Sequence, residues 1–129
     1  MRGERVRALV EIGEGIALRE AAGMHHLMPY LLGVSALVHI LAGRPGEAGE
    51  QLATALRIAA QTGERWYEPE LHRLRAEALR DTVGTSHAEI VRAAAAAHEL
   101  ARTQRSHAFE RRSTALLGEL NPQDLSRRS

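Results

Sequence analysis

Apolar residues recur at three- and four-residue spacing through most of this chain, and glycine or proline interrupts the pattern at intervals. This spacing is the period of an amphipathic helix, in which such positions form one stripe. Gly43 favours a left-handed helix end, and Pro45 favours the first turn of the next helix. Ser86, followed three residues later by Glu89, favours another helix start. The pattern predicts six helices, over residues 3–21, 29–42, 45–62, 64–81, 87–104 and 106–120.

The amino-acid composition argues against a β-sandwich or a β-barrel. Only 3% of the residues are aromatic, whereas strands favour aromatic and β-branched side chains. Alanine, with 22 residues, and leucine, with 17, supply most of the apolar positions and suit close packing between helices. A length of 129 residues corresponds to one domain. We therefore expect an all-α domain over residues 1–120 and a polar C-terminal tail over residues 121–129.

Charge and missing residue types exclude several classes of function. The 17 basic residues are all arginines, and 16 residues are acidic, so the formal net charge is +1. Nucleic-acid-binding proteins carry a larger excess of basic residues. Lysine and cysteine are absent, which excludes a phosphate-loop lysine, a Schiff base and a zinc–thiolate site. The longest apolar stretch, residues 28–42, is too short and too mixed to span a bilayer. We expect a cytoplasmic protein that binds neither nucleic acid nor membranes.

The second and third predicted helices resemble the fourth and fifth in the placing of small residues. Ala36 and Ala76 lie 40 residues apart, and Ala55 and Ala97 lie 42 residues apart. A period of about 40 residues with small side chains at helix crossings is typical of helical-repeat proteins. Short loops make successive helices antiparallel. The sequence therefore predicts a stack of antiparallel helical hairpins, with about six helices, and the motif residues described next give it its tetratricopeptide-like character.

A longer set of residues supports the same interpretation. Seven residues of the first helical pair fall at the offsets of the tetratricopeptide motif, namely Leu32, Ala36, His39, Gly43, Ala48, Leu52 and Ala55. Residues in six further segments are similar to a known family of helical-repeat regions, namely 30–32, 42–45, 47–48, 63–77, 100–102 and 109–112. On these residues the chain resembles the tetratricopeptide-like region of bacterial ATPase-containing adenylate or guanylate cyclases and of large ATP-binding LuxR-type transcriptional regulators. The resemblance implies a helical-repeat scaffold from signalling proteins, with no catalytic residue in this stretch.

Seven residues are candidates for contact with a partner. Trp66 and Tyr67 are adjacent aromatic residues of the kind that dominates protein interfaces. Arg73 and Arg75 lie on one predicted helix and are placed to line a groove for acidic peptide ends. The last predicted helix ends the stack with an apolar set that we expect one facing helix to leave uncovered, formed by Phe109, Leu116, Leu117 and Leu120. Of this set, Phe109, Leu116 and Leu117 complete the seven candidates. That set predicts self-association, or docking of a protein partner, through the C-terminal helix.

These features predict a non-catalytic protein-interaction or scaffold module, and three alternatives stay open. The first is a ligand-sensing regulatory domain that binds a small molecule or an acidic peptide in a concave groove lined by Arg73 and Arg75. The second is a truncated remnant of a larger regulator, because the end hairpins are incomplete. The third is a small helical enzyme, but Arg102 replaces the second histidine of the zinc-protease-like run that begins at His98. We expect no catalytic residue, no cofactor and no metal.

Overall fold

The computed structural model describes residue 7, residues 11–14 and residues 27–121 of the chain. Residues 7 and 11–14 are helical. Five complete helices follow in order, α1 (Met28–Leu41), α2 (Pro45–Thr62), α3 (Glu68–Arg80), α4 (His87–Thr103) and α5 (His107–Leu120). No strand occurs in the part of the chain that the structure describes, and the prediction of an all-α fold with about six helices is confirmed. Most of the first predicted helix and the tail beyond Asn121 lie outside the described residues.

The start of α3 differs from its prediction. The sequence pattern places this start at residue 64, whereas α3 begins at Glu68 and the two aromatic residues before it lie in a turn. Pro69 explains the difference, because a proline ring inside a helix collides with the carbonyl group four residues earlier. That carbonyl belongs to Arg65, and it accepts a hydrogen bond from the Glu68 N–H at 3.1 Å within the turn.

A glycine ends one helix and a serine begins another at the positions that the sequence predicts. Gly43 follows α1 with a φ of 78°, which allows the Arg44 N–H to donate to the His39 carbonyl at 2.8 Å. Ser86 Oγ accepts a hydrogen bond from the Glu89 N–H at 3.2 Å and so caps α4. Connections of three to six residues join the five helices. Connections this short make successive helices antiparallel.

Helix α3 lies at the centre of the described structure. Each of the five helices packs on the next one in sequence, and α3 also contacts both α1 and α5. One core cluster joins α1, α2 and α3 and includes Leu52, Leu71 and Leu74. A second core cluster joins α3, α4 and α5 and includes Ala76 and Ile90. Helix α3 therefore has two buried faces, with α1 and α5 on either side of it.

The alanines that suggest a repeat occupy matching environments. Ala36, Ala55, Ala76 and Ala97 are all buried. Small side chains at these positions allow the helices to approach closely. The matched burial agrees with the predicted period, while the hairpin stack as a repeat architecture stays a prediction.

Gly33 allows the turn before α3 to pack against α1. A Cβ atom at this position would lie 2.7 Å from Tyr67 Cε2 and 3.0 Å from Leu71 Cδ2. Leu71 is fully buried, so its side chain has little room to move away. The missing side chain of Gly33 therefore sets how closely α1 and α3 approach at this end.

We expect Gly33→Ala to destabilise the protein by about 1–3 kcal/mol, because an added methyl group in a packed contact displaces its neighbours. Gly49→Ala is the matched control, since a Cβ at this helical glycine meets no atom within 4 Å. The control should stabilise the protein by about 0.5–1 kcal/mol through helix propensity. Urea unfolding followed by circular dichroism measures both, and equal stability of the two variants would contradict the packing argument.

Candidate partner-binding surface

All the aromatic side chains of this chain meet in one cluster. The sequence holds two tyrosines, one tryptophan and one phenylalanine. Tyr30 stacks on Trp66 with ring centroids 5.9 Å apart, and Tyr67 meets Tyr30, Trp66 and Phe109 edge to face at 5.2–5.8 Å. Stacked and edge-to-face pairs are the arrangements that aromatic rings prefer. We call Tyr30, Trp66, Tyr67 and Phe109 the aromatic surface.

Helix ends bring these residues together from distant parts of the sequence. Tyr30 and Phe109 are each the third residue of their helix, α1 and α5, and Trp66 and Tyr67 directly precede α3. An intervening helix returns the chain between α1 and α3 and again between α3 and α5, so these three helices run in the same direction. Their amino-terminal ends are therefore adjacent, and the aromatic surface lies at that end.

The outer part of the aromatic surface is open to a partner. Trp66 is 48% exposed and Tyr30 is 39% exposed. Tyr67 lies beneath them, and its burial, with a further contribution from the charge of Glu70, raises its pKa to about 12. The phenol of Tyr67 is therefore neutral at physiological pH. The exposed rings rest on an inner ring that holds them in place.

A buried carboxylate joins α3 to α5 beneath the aromatic surface. Glu70 accepts hydrogen bonds from Arg73 Nε at 3.0 Å and from Arg73 Nη2 at 2.7 Å. It also accepts one from Arg112 Nη1 of α5 at 2.9 Å. The Arg112 guanidinium lies 5.7 Å from the ring centroid of Phe109, within the range of a cation–π interaction. Charge-assisted hydrogen bonds of this kind are stronger than hydrogen bonds between neutral groups. Because Arg112 lies against Phe109, its bond to Glu70 holds Phe109 next to Tyr67.

The ion pairs of this region present their positive partners to solvent. Arg65 binds Glu68 through two hydrogen bonds of 2.6 and 3.2 Å. The side chains of Arg65 and Arg112 are 58% and 55% exposed, whereas those of Glu68 and Glu70 are 11% and 3% exposed. An approaching molecule therefore meets guanidinium groups rather than carboxylates.

Four of the seven predicted contact residues belong to this region. Trp66, Tyr67 and Phe109 form most of the aromatic surface, as described above. Arg73 lies beneath it and is only 18% exposed, with Glu70 and Glu77 as its partners at 2.7 and 3.9 Å. Arg73 therefore supports the surface from below, and its contact with a partner stays a prediction.

Arg75 lies on a different side of α3. It borders a cleft of about 370 Å³ between α3 and α4, together with His72 and Arg92. Residues two positions apart on a helix point about 200° apart, which is why Arg73 and Arg75 do not share a groove. Of the two arginines predicted to line the groove of a ligand-sensing domain, only Arg75 borders this cleft.

The apolar residues of the last helix differ in how far packing buries them. Leu116 and Leu120 are buried in the second core cluster, so the expectation that they are uncovered is wrong. The reason is that α5 packs on both α3 and α4 rather than on one helix. Leu117 is partly buried and, with Val91, lines an open apolar cleft of about 640 Å³ between α4 and α5. Of the two leucines predicted to contact a partner, Leu116 and Leu117, only Leu117 therefore stays a candidate.

Sequence reasoning missed five residues of the region as candidate site residues, namely Tyr30, Arg65, Glu68, Glu70 and Arg112. The spacing of Glu70 and Arg73 is a local signal for an ion pair on one helix. No local signal places Arg112 on Glu70, because the contact joins residues 42 positions apart. The same holds for Tyr30, whose partners lie beyond an intervening helix.

His72 borders the cleft between α3 and α4 and is mostly buried. Its Nε2 lies 3.8 Å from Glu68 Oε1, and its Nδ1 is buried without a hydrogen-bond partner. Burial lowers the pKa of His72, and the nearby charge of Arg75 adds to that effect, whereas Glu68 opposes it. The imidazole of the folded protein is therefore neutral at pH 7.

Two observations concern cofactors and membranes. Within the described residues, no group of three or more histidine or acidic side chains is placed to hold a metal ion. Among the helices that the structure describes, none is both long and apolar enough to cross a membrane.

Comparison with known proteins gives no relative on which to base a function. No family model matches the sequence. No curated protein is significantly similar to it, and no solved structure significantly resembles it. The similarity to the tetratricopeptide-like region of signalling ATPases therefore rests on the sequence motifs alone and stays a prediction.

We expect Glu70→Gln to destabilise the protein by about 2–4 kcal/mol, because it leaves two guanidinium groups around a neutral amide at a buried site. Glu119→Gln is the matched control, since Glu119 also joins α5 to α3, through Arg80 at 2.9 Å, but with both side chains exposed. The control should cost less than about 1 kcal/mol. Urea unfolding compares the two variants, and equal losses of stability would contradict the role given to Glu70.

We expect His72 to make the folded state less stable as the pH falls from about 8 to about 5. The unfolded chain binds a proton on this residue near its ordinary pKa of about 6.5, while the folded chain binds it only at lower pH. Stability is therefore lost on acidification. The free energy of unfolding of a His72→Gln variant should fall less steeply over this range, and identical slopes in variant and parent would refute the effect.

Proposed function

We propose that this chain is a non-catalytic protein-interaction module that holds an acidic, partly apolar peptide segment of a partner protein on the aromatic surface. The observation that carries the proposal is the gathering of all the aromatic rings on one surface, with Trp66 and Tyr30 half exposed. Tryptophan, tyrosine and arginine are the residues that dominate the binding energy of protein interfaces.

Preorganisation of the rings supports the proposal. Trp66 and Tyr30 are stacked on each other, and Tyr67 contacts both from below. A partner that binds to rings already held in place loses less side-chain entropy on association. The aromatic surface is therefore built to gain affinity from a small number of contacts.

Charge supports an acidic partner. The outward-facing guanidinium groups of Arg65 and Arg112 flank the aromatic residues, and their carboxylate partners lie inside the protein. A peptide carboxylate near either arginine can accept a charge-assisted hydrogen bond from its guanidinium group. Aspartate or glutamate next to an apolar anchor residue is the peptide chemistry that this surface fits best.

The proposal extends to the architecture. A tetratricopeptide-like stack, with α1–α2 and α3–α4 as its central hairpins, would place α1, α3 and α5 in one layer and the aromatic surface at one end of it. The contacts of α3 with α1 and α5 and the 40-residue spacing of buried alanines support this arrangement. A cytoplasmic scaffold of a signalling regulator is the setting that the sequence resemblance adds.

Self-association through the C-terminal helix is the second candidate. The apolar cleft beside Leu117 and Val91 favours it, because open apolar clefts mark sites of association. This candidate uses a surface at α4 and α5 that is separate from the aromatic surface. Substitutions therefore distinguish the two.

Selection of phage-displayed random peptides on the immobilised chain tests the proposal. We expect enriched sequences to combine Asp or Glu with an apolar residue. A synthetic peptide of such a sequence should lose about tenfold or more in affinity for Trp66→Ala, since truncating a central aromatic residue costs at least about 2 kcal/mol.

Val83→Ala is the matched control, because Val83 is a fully exposed apolar residue at the opposite end of α3. It should bind the peptide as the parent chain does. Affinity that survives Trp66→Ala would refute the aromatic surface as the binding site. Affinity that is lost in Leu117→Arg instead, with a change of oligomeric state in light scattering, would assign the interaction to the second candidate.

A further inference from the structure

The cleft between α3 and α4 has the character of a ligand site, and the proposed function does not use it. Its volume is about 370 Å³, which falls within the range of small-molecule pockets. Its walls come from one face of each helix, with three residues of α3 and four of α4, namely His72, Arg75 and Leu79, then Glu89, Arg92, Ala93 and Ala96.

Two arginines of this cleft have unused hydrogen-bonding capacity. Arg75 and Arg92 are exposed and face the cleft from opposite helices. Neither forms an ion pair with any residue that the structure describes, whereas Arg65, Arg73 and Arg112 all do. Each guanidinium therefore offers five N–H donors in a fork that matches the oxygens of a phosphate group.

The remaining lining residues define the rest of the ligand. Ala93, Ala96 and Leu79 form an apolar wall that fits a short carbon skeleton. Glu89 borders the same cleft and forms no ion pair within the described residues, so its carboxylate is placed to accept a hydrogen bond from a hydroxyl group. A purely anionic ligand would be repelled by Glu89, which favours an anion that also carries hydroxyl groups.

His72 adds a polar ring to the wall of the cleft. Its Nδ1 is buried and has no hydrogen-bond partner. The ring borders the cleft, so a group bound there lies beside this imidazole.

We propose that this cleft binds a small hydroxylated phosphate ester, with the phosphate between Arg75 and Arg92 and the carbon skeleton against the alanines of α4. A phosphate is favoured over a carboxylate because one guanidinium already satisfies both oxygens of a carboxylate. The three free oxygens of a phosphate monoester engage two guanidinium groups from opposite walls. A ligand held in this way joins α3 to α4.

Isothermal titration calorimetry with glycerol 3-phosphate tests the site, because this probe carries the phosphate, the hydroxyl groups and no aromatic ring that could stack on Trp66. We expect one saturable site per chain. Arg75→Gln and Arg92→Gln should each weaken binding about tenfold or more, as for the loss of a charge-assisted contact. Arg102→Gln is the matched control, because Arg102 is an exposed arginine of α4 outside the cleft. It should bind like the parent chain.

Three results would overturn the proposal. One is the absence of saturable binding of glycerol 3-phosphate, and another is unchanged binding in both Arg75→Gln and Arg92→Gln. The third is equally tight binding of glycerate, which has the same skeleton with a carboxylate and would refute the phosphate assignment. Trp66→Ala should bind the probe as the parent chain does, so failure at this cleft and failure at the aromatic surface are distinguishable.

Discussion

The candidate surface depends on the hydrogen bonds that the carboxylate of Glu70 accepts from Arg73 and Arg112. Pro69 forces α3 to begin at Glu68, and this start places Glu68 and Glu70 in the first turn of the helix. Negative charge is favourable there, because the unpaired N–H groups of a helix start are electropositive. The two carboxylates can therefore be buried while Arg65 and Arg112 cover them from outside. A single proline thus leads to a surface that presents cations beside exposed aromatic rings.

Helix α3 supports the aromatic surface from beneath and also lines the cleft between α3 and α4. Two of its sides are buried in different core clusters. Leu71 and Leu74 belong to the core shared with α1 and α2, and Ala76 belongs to the core shared with α4 and α5. The remaining sides of α3 carry charged residues, with Glu70 and Arg73 toward α5 and with Arg75 at the cleft beside α4. Both surfaces are therefore built on one helix that is packed on two sides.

Much of the helical pattern could be predicted from the sequence, because helix ends follow local rules. Gly43 and Ser86 act where their residue types predict, and the start of α3 was misplaced only because the steric effect of Pro69 reaches back to Arg65. The site was harder to predict. Trp66 and Phe109 are recognisable from the sequence as candidate interface residues, but their meeting in one cluster depends on packing between helices. Leu116 shows the same limit, since only the contact of α5 with two helices determines that it is buried.

The placing of the aromatic residues supports the proposal that the aromatic surface binds a partner. Aromatic rings bury more apolar area than any other side chain and are the usual means of stabilising a small core. Here neither core cluster has an aromatic ring among its fully buried members, which are alanine, leucine, isoleucine and methionine. Only Tyr67 packs against a core, from its edge. Tyr67 therefore serves both the packing of α1 on α3 and the support of Trp66 and Tyr30, whose rings stay about half exposed and are the ones that the proposed partner would contact.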